Sequence, residues 1–401
     1  MKYVVLLGDG MADEPLAELG GRTPLEAAAT PHLDALAAKG ETGLVRTVPE
    51  GFPPGSDVAN LAALGYEPQL YYTGRSPLEA ISMGVELTAE DVAFRCNLVT
   101  LSDEPSYAAK TMLDYSAGEI STAEAGVLIA ELQQSLGAPN LHFYPGISYR
   151  HLLVWRGGPA ETGLTPPHDI SGQPIAAFLP RGEGAATLLR LMEESHRRLP
   201  DLPVNRQRRA AHQRQANSLW FWGQGKKPAL PDFKDRYGLK GSVISAVDLV
   251  KGIGLCIGCE VVAVPGATGN IHTNFRGKVE AALEELKRGQ DFVFIHVEAP
   301  DEAGHQGDLA TKIRAIEAVD RMLGQLLAGL QPYPAFKALV LPDHPTPLRL
   351  RTHTGDPVPF VCYATNANSP ETARSFGETT AAQSGVYYPS GTALMKRFIN
   401  G

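Results

Sequence analysis

The sequence predicts an α/β fold, a largely parallel sheet covered by helices on both faces, with a second domain inserted into the first. Three observations lead there. Short apolar, β-branched runs recur near both ends of the chain, helical periodicity lies between them, and in the middle that alternation fades. At 401 residues the chain has room for two to three domains.

The first run, Tyr3–Leu7, stops at Gly8-Asp9-Gly10 and reads as a buried parallel strand entering a loop. Similar runs lie at Asp291–Val297, Ala338–Leu341 and Pro359–Tyr363, with a further candidate at Glu260–Val264. Across Leu309–Leu330 the residues Ile313, Ile316, Val319, Leu323, Leu326, Leu327 and Leu330 recur at spacings of three and four, which predicts a helix. Lys278–Leu286 reads as another. From about Asp91 to about Arg236, Pro and Gly are frequent and one helix stands out, at Gly184–Arg198. The expected organisation is a discontinuous core of residues 1–88 and 237–401, with an inserted smaller α+β domain at 89–236.

Composition narrows the function. With 43% hydrophobic and 20% charged residues the chain is not mainly disordered. No apolar stretch approaches a membrane span, and Tyr3–Leu7 is too short for a signal-peptide core. Four Cys in this length make no disulfide framework, so cytoplasmic residence is expected, with no membrane partner. A net charge of −8 argues against a nucleic-acid partner. Residues 181–240 nevertheless hold thirteen Lys/Arg against six Asp/Glu, a local +7, so the rest of the chain sums to −15. That segment reads as a local anion site or as a solvated helix face. The pair Cys256 and Cys259 has no second pair to complete a zinc site and reads as two small buried residues.

In an open parallel sheet, ligands bind beyond the carboxyl ends of the strands. Asp9 follows the first run, Asp301 and His305 follow Asp291–Val297, and Asp343-His344 follows Ala338–Leu341, with His353 in a loop shortly after. Asp301 and His305 are four apart, so one helical turn aims both the same way. Asp and His together suit a transition or borderline metal, and six such candidates suit a pair of ions better than one four-coordinate site. A Pro/Gly-rich turn, Gly51–Gly55, leads into Ser56 and an apolar helix. Ser56 reads either as a helix N-cap or as a nucleophile whose oxygen is helped by the helix N-terminus and a metal.

The segments LLGDGM, PGSDVANL, VEAPDEAGH, LPDH and RTHTGDPVPF, with FRCNLVT, HLLVW, ANSLWFWGQG, KGSVISAVDLVKGIG and PGATGN, resemble the archaeal-type cofactor-independent phosphoglycerate mutases of the alkaline phosphatase superfamily. The resemblance spans essentially the whole chain. It implies an alkaline-phosphatase-like three-layer core with a substrate-binding cap. It also implies two divalent ions, Mn2+ foremost with Zn2+, Mg2+ or Co2+ as alternatives, and no need for 2,3-bisphosphoglycerate. Asp301, His305 and His353 match the ligands of one metal, and Asp9, Ser56, Asp343 and His344 those of the other.

The implied reaction interconverts 3-phosphoglycerate and 2-phosphoglycerate through a phosphoserine, a step of glycolysis and gluconeogenesis. In the inserted domain Arg150, His151 and Arg206, and beyond it Lys240, are candidates to grip phosphate or carboxylate, and Asp169 to act as a general base. The expected partner is a small phosphorylated substrate, and a homo-oligomer is compatible with the sequence. Competing readings are another metal-dependent phosphomutase, such as a phosphopentomutase, or a phosphatase of the superfamily. A homoserine kinase-like phosphotransferase lacks support from any G-x-x-x-x-G-K-[ST] loop. A non-catalytic binding protein on the same fold predicts loss of Ser56 or a ligand, and all seven residues are present.

Overall fold

The computed structural model describes residues 1–365 and 375–401. In chain order the strands are β1 (Lys2–Gly8), β2 (Glu41–Val45), β3 (Val92–Leu101), β4 (Met112–Asp114), β5 (Leu141–Tyr144), β6 (Arg150–Trp155) and β7 (Ser218–Lys226). They continue with β8 (Gly241–Ile244), β9 (Glu260–Val261), β10 (Phe292–Val297), β11 (Phe336–Leu341), β12 (Val358–Ala364) and β13 (Tyr387–Tyr388). The chain divides into two compact units, one of Met1–Tyr72 with Ala229–Gly401, the other of Thr73–Pro228.

The first unit is built on an eight-stranded sheet of order β13-β2-β12-β11-β1-β10-β8-β9. Strands β11, β1, β10, β8 and β9 are parallel to their neighbours in that list. β12 is the exception. It runs antiparallel to both β11 and β2, so Pro359–Tyr363 is a strand as expected but in the opposite direction. The candidate at Glu260–Val264 shrinks to the two residues of β9. One face of the sheet sends Val4, Leu6, Val293, Ile295 and Val340 into a core shared with Val279, Leu286, Ile316, Val319 and Leu323 from helices Phe275–Arg288 and Leu309–Leu330. The other face is covered by helices Ser56–Ala63, Asp248–Cys256 and Gly391–Asn400, where Tyr3 meets Phe398 edge-on at 5.8 Å. This is the three-layer α/β core that the sequence leads one to expect.

Register places the chemistry. Leu7 is level with both His296 and Leu341, so β1, β10 and β11 end together and the loops carrying Asp9, Asp301 and Asp343 leave from one edge.

The second unit is an antiparallel sheet in which β3 pairs with β6 on one side and with β7 and β4 on the other, and β5 pairs with β6. All ten residues of β3 are buried. Helices Thr122–Leu136 and Ala185–Arg198 pack Leu128, Leu132, Leu188, Leu191 and Met192 onto it.

The unit boundaries fall at 72/73 and 228/229 rather than near 88 and 237. Local bonding explains the shift. Helix Ser76–Ser82 is tied to the second unit by Ser76 Oγ, which donates to the Gly223 carbonyl at 2.5 Å, and by Glu79, 3.2 Å from Arg95. Helix Phe233–Tyr237 belongs to the first unit, with Phe233 stacked 4.6 Å from Phe292 and Tyr237 donating to the Gly65 carbonyl at 2.9 Å.

The long helix Leu309–Leu330 holds one residue that apolar periodicity does not anticipate. Lys312 is wholly buried, and its ammonium donates to Asp13 at 2.6 Å and to the carbonyls of Thr346 at 2.8 Å and Ala12 at 3.3 Å. One cation thus clamps the loop after β1 to the loop after β11. Removing one partner of a buried pair leaves the other charge unpaired in a dry site, at a cost of about 3–5 kcal/mol. Lys312→Met should lose stability on that scale in urea unfolding, and a loss below about 1 kcal/mol would show that the pair is not structural.

Candidate active site

The site is assembled from four loops at the edge where β1, β10 and β11 end. After β1 the backbone turns through Gly10, which has φ +61°. A Cβ there would lie 2.5 Å from Thr346 Oγ1 and 2.6 Å from Asp301 Oδ1, so only glycine lets Asp9 approach the other ligand loops. The Gly10 amide donates to Asp343 Oδ1 at 3.1 Å, as does the His344 amide at 2.9 Å. After β10 the chain enters helix Ala299–Gln306, which carries Asp301 and His305 one turn apart on one face, as their spacing predicts.

Ser56 is the first residue of helix Ser56–Ala63. Gly55 occupies the N-cap position, so the capping reading of Ser56 is not realised and its hydroxyl is left for other contacts. Ser56 Oγ lies 3.1 Å from His344 Nε2 and 3.5 Å from Asp9 Oδ2. One turn on, Asn60 Nδ2 donates to the Ser56 carbonyl and to Asp343 Oδ2, both at 2.9 Å, which locks the serine turn to the aspartate.

Two groups of side chains have ligand atoms within 4.8 Å of one another, Asp301 with His344 and His353, and Asp9 with His296 and Asp343. His305 joins the first group, its Nε2 standing 3.2 Å from Asp301 Oδ2 and 2.9 Å from His353 Nε2. The other nitrogen of His305 faces the Arg351 carbonyl at 3.0 Å; a carbonyl can only accept, so Nδ1 donates to it and Nε2 is the nitrogen turned toward the group. His344 stands between the groups, 3.4 Å from Asp343 and 3.6 Å from Asp9, with its ring 4.0 Å from that of His353. All seven residues expected as metal ligands therefore meet at this edge.

The donor set fits divalent cations. Burial and the neighbouring Asp343, Asp301 and Glu298 carboxylates raise the Asp9 pKa well above its ordinary value. Asp9 Oδ1 is buried with no hydrogen-bond partner. Asp301 goes the other way: burial opposes its charge, but contacts from His305 and His353 hold its pKa well below the usual range. A buried carboxylate oxygen without a donor, beside a second carboxylate, is the environment a cation relieves.

The sequence reading missed His296. It lies in β10, fully buried, with Nε2 2.9 Å from Asp9 Oδ2, and burial pushes its pKa down to about 3. The available signal was a histidine near the end of an otherwise apolar strand. Asn60, Thr346 and the Lys312–Asp13 clamp also escaped, because each acts through a contact distant in sequence.

The substrate-binding candidates separate. Arg150 is exposed at the start of β6, its guanidinium 5.3 Å from the Tyr149 ring. Asp169 is exposed in the short turn Pro167–Ile170, 3.5 Å from His168, whose ring meets Trp222 edge-on at 5.2 Å. His151 is buried in β6: Nδ1 accepts from the Gly146 amide at 3.0 Å, Nε2 is buried with no hydrogen-bond partner, and burial pushes the pKa down to about 3. Lys240 is a correction. It immediately precedes β8, where its carbonyl accepts from the amides of Asp291 and Phe292. That is the amino-terminal edge of the sheet, opposite the one holding Asp9.

Arg206 is exposed on helix Pro203–Ala210, and its neighbour Arg208 is the buried arginine, paired to Glu124 at 3.0 Å. Several other cations of the basic segment are also in ion pairs, Arg197 and Arg198 with Glu194 and Arg236 with Glu67. A cation cluster found only in the structure surrounds Arg95 of β3. Its guanidinium sits 4.9 Å from the Trp222 ring and 3.2 Å from Glu79. Burial lowers its pKa to about 10, against the pull of Glu79 and with the repulsion of Arg75 and Arg150.

A serine at a helix start, set among Asp and His groups at the edge of a three-layer α/β core, defines a metal-assisted phosphoryl-transfer enzyme. Comparison with known proteins is specific. A family model described as 2,3-bisphosphoglycerate-independent phosphoglycerate mutase matches residues 37–205. A probable 2,3-bisphosphoglycerate-independent phosphoglycerate mutase of Geobacter sulfurreducens is 53% identical over 401 residues, covering 100% of both chains. The enzyme of that name from Methanothrix thermoacetophila is 50% identical, again covering 100% of both. A cofactor-independent phosphoglycerate mutase structure from Thermoplasma acidophilum superposes with a TM-score of 0.66 at 27% identity, covering 100% of each chain. A Pyrococcus horikoshii protein reaches a TM-score of 0.83 at 30% identity, covering 100% of this chain and 97% of that one. The chain belongs to the 2,3-bisphosphoglycerate-independent phosphoglycerate mutase family.

If two cations neutralise this edge, adding Mn2+ to EDTA-treated protein should raise its Tm, by about 3 kcal/mol of stability per site at ~100 times Kd. Asp9→Asn should leave the metal-free protein at least as stable as wild type and lose much of the Mn2+ response. A full Mn2+ response in that variant would remove Asp9 from the ligands.

Proposed function

We propose that this chain interconverts 3-phosphoglycerate and 2-phosphoglycerate through a phosphoserine at Ser56, as a step of glycolysis and gluconeogenesis in the cytoplasm. Among the described residues no helix is long and apolar enough to cross a membrane. The observation that carries the reading is the position of Ser56 Oγ, 3.1 Å from His344 and 3.5 Å from Asp9 at the junction of two Asp/His groups.

Ser56 Oγ gives up its proton and attacks the substrate phosphorus, the bond from phosphorus to the 3-oxygen breaks, that oxygen takes up a proton, and glycerate is released beside phosphoserine. The glycerate 2-hydroxyl then gives up its proton and attacks that phosphorus, the bond from phosphorus to Ser56 Oγ breaks, and Ser56 is restored as it takes up a proton. Two divalent cations, when bound, compensate the phosphoryl charge and align the attacking and leaving oxygens. Asp301, His305 and His353 would hold one, and Asp9, Ser56, Asp343 and His344 the other. Mn2+ is the proposed occupant of both, because the donors mix carboxylate oxygen with imidazole nitrogen; Zn2+, Mg2+ and Co2+ are its competitors. Asn60 fixes the serine turn, so little reorganisation precedes attack.

In the second unit, Arg150, His151 and Arg206 are proposed to bind substrate carboxylate or phosphate and Asp169 to take the glycerate hydroxyl proton.

The test is a coupled assay with 3-phosphoglycerate and Mn2+, without 2,3-bisphosphoglycerate or ATP. Formation of 2-phosphoglycerate that EDTA abolishes is the expected result. Ser56→Ala should cut turnover by at least ~1000-fold while leaving the fold intact. Release of inorganic phosphate in place of 2-phosphoglycerate would make the enzyme a phosphatase. A product that forms only with ATP would make it a kinase.

A further inference from the structure

A hydrogen-bonded chain lies behind Asp9. The Val247 amide donates to Ser245 Oγ at 3.0 Å, Ser245 Oγ stands 3.3 Å from His296 Nδ1, and His296 Nε2 stands 2.9 Å from Asp9 Oδ2. Each ring nitrogen of His296 thus has one hydrogen-bonding partner, Asp9 at Nε2 and Ser245 at Nδ1. Ser245 Oγ already accepts from Val247, which leaves its hydroxyl proton available to Nδ1. The main chain of His296 is pinned as well, its carbonyl accepting from the buried Lys278 ammonium at 2.8 Å. Every freedom of the ring is used.

The consequence lies in Asp9. Its two oxygens are inequivalent: Oδ2 is hydrogen-bonded with His296, whereas Oδ1 is buried with no hydrogen-bond partner. Proximity alone would make His296 a ligand, since it shares a cluster with Asp9 and Asp343. An imidazole nitrogen that donates its proton to Asp9 is not available to ligate a cation, so the two roles exclude each other.

We propose that His296 is a positioning residue of the Asp9 site, one that orients the carboxylate through Nε2–H and leaves Oδ1 as the oxygen presented to a cation. Ser245 acts through it by selecting the tautomer. The inference rests on Asp9 being a ligand, as argued above. Hydrogen bonds from outside the ligand shell of this kind typically change metal affinity by about 10–100-fold.

Calorimetric titration of EDTA-treated full-length protein with Mn2+ tests this, paired with the visible spectrum of the Co2+-substituted protein. His296→Leu should weaken binding at one of two sites by about 10–100-fold. His296→Gln, whose amide offers an N–H in a similar place, should recover most of the loss. Ser245→Ala should weaken the same site several-fold without disturbing the core. The Co2+ spectrum of His296→Gln should match wild type, because no nitrogen ligand has been lost.

A changed Co2+ spectrum in His296→Gln would make His296 a ligand and overturn the proposal. Wild-type affinity in both His296→Leu and Ser245→Ala would overturn it too. If His296→Leu does not fold, Ser245→Ala and His296→Gln decide the matter alone. Absence of Mn2+ binding by wild type itself would instead refute the two-metal reading on which the proposal rests.

Discussion

Asp9 and Asp343 are buried side by side, with Asp301 near enough to add to the same repulsion. Carboxylates in a dry site are stable only when hydrogen-bonded, paired with cations or protonated. Much of the first unit follows from that constraint. Asp343 is supplied with donors from the backbone of Gly10 and His344 and from Asn60. Asp301 has two imidazoles and the Thr346 hydroxyl. Asp9 has His296 and Ser56 at Oδ2 and no hydrogen-bond partner at Oδ1, where His344 stands 3.6 Å away. At Oδ1 of Asp9 the protein's own donors stop, and a cation there would complete the balance.

Two buried lysines support the same edge from behind. Lys312 holds the loops after β1 and β11, and Lys278 holds the end of β10. Each donates to main-chain carbonyls, so each fixes the backbone from which a ligand projects. Helix and sheet geometry bring the four loops to one edge, and these lysines determine how rigidly they stay there. A phosphoryl-transfer site needs that rigidity, because its catalytic power comes from groups already in place when charge develops. The second unit is organised differently. There Arg95 of the sheet lies over Trp222, and Glu79 pairs with both Arg95 and Arg75.

Much of this was legible in the sequence. Apolar runs followed at once by Asp or His marked the strand ends, because a doubly buried parallel strand cannot carry such residues inside it without reason. The Asp301–His305 spacing showed a shared helical face. What failed did so for physical causes. His296 was hidden because a strand's outline is set by its apolar majority. The direction of β12 was invisible because an apolar run has no polarity. Lys240 was placed by motif resemblance, whereas the register of β8 puts it at the wrong edge. Arg95 was masked inside a strand whose residues are all buried. The net positive charge of residues 181–240 left an anion site and a solvated helix face both open, and several of its arginines are engaged in ion pairs.

The account stands or falls on Ser56 as the residue that carries the phosphoryl group. Acid quenching of the Mn2+-loaded enzyme during turnover of 3-phosphoglycerate, followed by peptide mass spectrometry, tests this directly. Phosphate on the peptide containing Ser56, absent when EDTA is added, is the predicted result. Turnover with phosphate on a different residue, or with substrate phosphate transferred and no phosphopeptide formed, would contradict it.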